Sequence, residues 1–86
     1  MEDTLRLYTT STCKRCGKLT NFLEKNGVPF KKIVIDENGD AEADALMLGI
    51  LSVPTLKKGN AILRPKESFT VDDRLIEAKV REFLLA

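Results

Sequence analysis

Cys13 and Cys16 are the only cysteines among the 86 residues, and Lys14-Arg15 separates them. A thiolate attacks sulfur and binds soft metals, so a close pair offers a dithiol/disulfide couple or part of a metal site. On a helix, residues three apart lie on nearly one face, and their Cα atoms can sit ~5.5 Å apart, as a disulfide requires. A helix start favours an anion through its unpaired amides and its dipole, and Lys14 and Arg15 add positive charge. Cys13, at that start, is therefore the expected nucleophile, with a pKa below the ~8.5 of a free cysteine. Cys16, a turn further in, is the expected resolving thiol. Zinc would need about four ligands, and the chain has no histidine and no third cysteine, so no metal site is expected without a dimer or carboxylates. Two inert, buried cysteines are the remaining alternative.

The composition removes other chemistry. Without histidine there is no Ser-His or Cys-His catalysis. Lys and Arg number 14 against 13 Asp and Glu, so no global field draws the chain to nucleic acid or membrane. One Tyr, four Phe and no Trp make a poor base-stacking platform. The N-terminal stretch is acidic, unlike a signal peptide, and no run approaches the roughly 20 apolar residues of a membrane span. These features predict a cytoplasmic protein, where a close cysteine pair is expected to be catalytic or metal-binding rather than a structural staple. The length predicts one domain over residues 1–86.

The elements that must position the pair follow from periodicity. Leu5-Arg6-Leu7-Tyr8-Thr9 reads as a strand, and Thr10-Ser11-Thr12 as a polar break whose hydroxyls can cap a helix. Cys16, Leu19, Phe22 and Leu23 define one face of a helix from Cys13 to about Asn26, with Gly27 ending it. Phe30 to Ile35 reads as the second strand, parallel to the first across the helical crossover. A turn over 36–39 leads to a helix capped by Asp40, with Leu46, Met47 and Ile50 as its buried side and Gly49 at its end. The acidic cluster about its start reads as a solvated helix entry. Gly59-Asn60 joins Leu56-Lys57-Lys58 to Ala61-Ile62-Leu63 as an antiparallel hairpin. Residues 64–69 read as a connecting loop. Thr70 to Asp73 reads as a capping box for a last helix that reaches about Leu84 and buries Leu75, Ile76, Val80, Phe83 and Leu84.

The strand, Cys-x-x-Cys and helix, followed some forty residues later by Val53-Pro54-Thr55 before a hairpin, resemble the thioredoxin fold, and the length and element order resemble its glutaredoxin branch. The resemblance covers nearly the whole chain. It implies an α/β domain of order βαβαββα, a four-stranded mixed sheet flanked by three helices. It implies a cis Pro54 facing the cysteines, with the backbone of Val53 open to an extended substrate segment. The function it implies is thiol–disulfide oxidoreductase, an enzyme reducing protein or small-molecule disulfides through Cys13 and Cys16, with Thr12, Lys14, Arg15, Val53 and Pro54 shaping the site. A monomer is expected, with no tightly bound cofactor. The electron donor is left open between glutathione and a thioredoxin reductase-type protein. The alternative is a dimer holding a [2Fe–2S] cluster, whose four thiolates one chain cannot supply. The chain departs from the glutaredoxin pattern at Lys14-Arg15, where Pro and an aromatic residue are usual. It departs again at Thr10, where Lys is usual, and at Ser68-Phe69, near the usual Gly-Gly pair.

Overall fold

The structure is a computed structural model that describes residues 5–50, 52–59 and 61–85. Its elements are β1 (Leu5–Thr9), α1 (Lys14–Lys25), β2 (Lys31–Val34), α2 (Gly39–Met47), β3 (Thr55–Lys58), β4 (Ala61–Leu63), α3 (Pro65–Ser68) and α4 (Glu77–Leu85). The four strands form one sheet in the order β2-β1-β3-β4. β1 runs parallel to β2 and antiparallel to β3, and β3 pairs antiparallel with β4. The mixed four-stranded sheet, its parallel β1–β2 pair and its antiparallel β3–β4 pair are those expected.

β1 is paired on both edges and buries residues on both faces, Leu5 and Leu7 on one and Tyr8 on the other. Leu7 stands opposite Leu56, which stands opposite Leu63, so one row of leucines crosses three strands. This row packs with Leu19, Phe22 and Leu23 of α1, with Phe69, and with Val80 of α4. Full burial of such a side chain contributes roughly 1.5–3 kcal/mol. Tyr8 points to the other face and packs with Ala45 of α2, Ile50, Ile33 and Ile35. Thus α1 and α4 cover one face and α2 the other.

α1 buries Cys16, Leu19, Phe22 and Leu23, the face its spacing predicts. Gly27 ends it with φ +66°, and the amides of Gly27 and Val28 return to the carbonyls of Glu24 and Leu23. The hairpin after β3 also stands as read, with Gly59 at φ +59°, while Asn60 lies outside the described residues.

Four expectations are corrected. α2 buries Ala41 and Ala45, one turn apart, while Leu46 is 59% and Met47 87% exposed. Small side chains let the helix lie close over Tyr8 and the following loop, which rotates the larger neighbours outward. Its cap is Asn38, whose Oδ1 accepts from the amides of Asp40 (2.9 Å) and Ala41 (3.4 Å), so Asp40 lies inside the helix. Residues 65–68 are a short fourth helix rather than loop. Pro65 begins it with a backbone angle already fixed for helix, and the Arg64 carbonyl accepts from the amides of Glu67 and Ser68. Finally, residues 70–73 do not open the last helix. Phe69 bridges Leu75 in antiparallel fashion, Asp73 sits at φ +62°, and the helix starts at Glu77. The Thr70 hydroxyl instead accepts from the Arg74 amide at 3.1 Å, closing a turn.

Candidate active site

Cys13 stands between β1 and α1. It is the N-cap of α1, with an extended backbone (φ −79°, ψ 110°). Its Sγ accepts from the Cys16 amide at 3.1 Å. The expected capping by the hydroxyls of Thr10, Ser11 or Thr12 is therefore replaced by capping through sulfur. The reason is position: only the residue at the helix boundary faces the unpaired amide three residues on. The two cysteines form a disulfide, with Cα atoms 5.3 Å apart. Cys13 is half-buried and Cys16 is buried at 4% exposure, so only the first sulfur is open to a partner.

The loop before Cys13 is pinned by an acid from the turn after β2. Asp36 accepts from the Ser11 amide (3.0 and 3.2 Å) and from the Ser11 hydroxyl (2.6 Å). The Ser11 hydroxyl is the main reason that the Asp36 carboxyl lies below its ordinary range. The pairing follows from the parallel register. Thr9 stands opposite Val34, so Ser11 and Asp36, each two residues on, meet beyond the strand ends. Sequence reading placed Asp36 in a solvated acidic cluster, and strand pairing was the information that would have singled it out.

Val53-Pro54 is a cis peptide bond, as the resemblance implied. Pro54 is buried, and the Thr55 hydroxyl closes the loop on the Ser52 carbonyl at 2.7 Å. Arg15, between the cysteines, reaches this loop: its Nη2 donates to the Val53 carbonyl at 3.3 Å. The same guanidinium lies 3.8 Å from the Asp73 carboxylate and 5.8 Å above the Phe69 ring. Lys18 donates to the Asp73 carbonyl at 2.6 Å. Arg15 therefore joins the start of α1, the cis-proline loop and the turn before α4. Cys13, Cys16, Arg15, Val53 and Pro54 belong to this constellation. Thr12 and Lys14 are exposed beside it. Asp73 was missed, and Phe69 was noted only as a departure from the Gly-Gly pattern, because their approach to Arg15 depends on a turn over residues that read as a helix cap.

The glutaredoxin family model matches residues 5–62, well over half of the chain. The chain belongs to the glutaredoxin family. Among solved structures it is similar to the glutaredoxin of Archaeoglobus fulgidus, at 26% identity and a TM-score of 0.70, over 98% of this chain and 88% of that one. It is similar in fold to a thioredoxin-like protein, BC3987, at 18% identity and a TM-score of 0.73, over 92% and 97% of the two chains. A buckwheat glutaredoxin, solved as a complex with glutathione, matches at 18% identity and a TM-score of 0.64, over 96% and 73%. No curated protein sequence matches the chain. Near the place where the glutaredoxin pattern has its Gly-Gly pair, this member buries Ser68 and Phe69 completely or nearly so, at 0% and 4% exposure. Among the described residues no helix is long and apolar enough to cross a membrane, and no group of three His, Cys, Asp or Glu converges.

Proposed function

We propose that this glutaredoxin-family chain is a thiol–disulfide oxidoreductase that reduces disulfides of peptides and proteins. The observation that carries the reading is the asymmetry of the pair: Cys13 is half-open at a helix start with an amide aimed at its sulfur, and Cys16 is buried one turn on. In the reduced protein the same amide would face the Cys13 thiolate and lower its pKa. The thiolate attacks one sulfur of a substrate disulfide. The substrate S–S bond breaks, its second sulfur leaves as a thiolate and takes up a proton, and Cys13 is left in a mixed disulfide. Cys16 then loses its proton and attacks Cys13 Sγ, which expels the second substrate thiol and forms the Cys13–Cys16 disulfide. The substrate gains two electrons and the protein loses two.

In this reading the Val53 backbone, whose carbonyl also accepts from Arg15, pairs with an extended substrate segment in the manner of strand addition. The chain needs no tightly bound cofactor for this sequence of steps. An external thiol must return two electrons, and glutathione or a reductase would serve. Two features weigh against a dedicated glutathione site. Arg15 and Lys18 are already engaged by Asp73, and the bulky, buried Phe69 stands near the place where the family pattern has glycine. No observation favours the iron–sulfur alternative.

The test is reduction of a peptide disulfide, assayed in parallel with glutathione plus its reductase and with a thioredoxin reductase system. Turnover in at least one arm, lost in Cys13→Ser, is the expected result. Equal turnover in Cys13→Ser would contradict it. The arm that works names the class of donor.

A further inference from the structure

A groove of about 360 Å3 opens between α2 and the cis-proline loop. Ile35, Ala45 and Ile50 line its floor, Val53, whose carbonyl accepts from Arg15 between the cysteines, lines it too, and the exposed Asp36 and Glu42 stand at its mouth. Its chemistry is two-sided. The floor suits an aliphatic chain, and the mouth suits a positive charge. Among the described residues neither Asp36 nor Glu42 is in an ion pair. Asp36 accepts from the neutral amide and hydroxyl of Ser11, and the hydroxyl above all holds its carboxyl below the ordinary range, so it is negative throughout neutral pH. On the other side of the site the charges are reversed. Lys14 is exposed, and Arg15 and Lys18 meet the Asp73 carboxylate and carbonyl. A substrate segment crossing the pair therefore meets an acidic end at α2 and a basic end at α1.

We infer that this groove is the subsite for a lysine or arginine side chain that flanks the disulfide cysteine of an extended polypeptide substrate. The inference rests on the disulfide-reducing reading above and adds the class of substrate. It follows from continuity. Val53 both lines the groove and is the residue whose backbone such a segment would pair with. Side chains of an extended segment alternate between opposite faces, so a residue next to the cysteine turns toward α2. A lysine or arginine stem lies against the apolar floor while its charged end stays at the wet mouth. Anionic disulfides, glutathione disulfide among them, meet like charge there and are the poorer substrates.

The experiment uses three peptides that differ only at the residue flanking one cysteine, which is Lys, norleucine or Glu. Each is linked through that cysteine to the same neutral thiol. Rates with the protein, regenerated by dithiothreitol, are divided by rates with dithiothreitol alone, which removes intrinsic differences in leaving-group reactivity. The normalised kcat/KM should fall from Lys to norleucine to Glu, by about tenfold end to end at low salt, with KM carrying the difference. The spread should narrow at high salt. In Glu42→Gln it should shrink to about threefold, and in Glu42→Lys the order should reverse. Equal rates for the three peptides, or an unchanged order in Glu42→Lys, would overturn the subsite while leaving the oxidoreductase reading standing. Reduction of none of the three would overturn both.

Discussion

At the scale of single residues, Arg15 binds more of the site together than either of its cysteine neighbours. It donates to the Val53 carbonyl, faces the Asp73 carboxylate and covers the Phe69 ring. The Asp73 contact is half-exposed and contributes little alone. The charged hydrogen bond and the ring contact are the larger parts. Arg15→Ala should therefore lower unfolding stability by about 1–2 kcal/mol, read from urea denaturation. Arg15→Lys should recover only part of that, because an ammonium cannot hold three partners with the geometry of a planar guanidinium. Full stability in Arg15→Ala would show that the three contacts are incidental. None of this was legible in the sequence, where Lys14 and Arg15 read as two equivalent cations. The cysteines themselves were legible, because spacing, a preceding strand and a following helix suffice to place them. The sulfur cap was not, since it depends on which residue stands at the helix boundary.

Between elements, the parallel pairing of β1 with β2 does more than close the sheet. It brings Asp36 beneath the loop that leads to Cys13, and the Ser11 hydroxyl lowers the Asp36 pKa. A carboxyl lowered on folding stabilises the protein at neutral pH, and that contribution is lost as pH falls through and below its ordinary range. Wild type should lose this contribution at acid pH. Asp36→Asn should be less stable at neutral pH, and the gap between the two should close as Asp36 becomes protonated. Denaturant unfolding of both proteins across pH checks this, and a gap that stays constant to low pH would contradict it. Elements governed by local periodicity, β1, α1 and the β3–β4 hairpin, were readable in advance. α2 was harder, because its alanines rather than its larger residues face Tyr8, and packing distance is not written in hydrophobicity. The start of α4 was misjudged because Thr70 to Asp73 has the pattern of a cap, yet the Phe69–Leu75 bridge takes that stretch into a turn.

For the molecule as a whole, the sheet order and the two-faced core follow from a few leucines on one side of β1 and Tyr8 on the other. That arrangement delivers the C-terminal end of β1, the start of α1 and the cis-proline loop to one edge, where the disulfide sits. The fold was legible because each of these elements has its own local pattern. The acidic groove beside Val53 was not, since its walls come from four separate stretches of chain. The attack by Cys13 and resolution by Cys16 proposed above can be read from intact-mass analysis of Cys16→Ser and Cys13→Ser after each is mixed, reduced, with a peptide disulfide. A peptide adduct on Cys13 should accumulate in Cys16→Ser, with little or none in Cys13→Ser, whose remaining thiol is buried. An adduct that forms equally well on Cys16 in Cys13→Ser would contradict it.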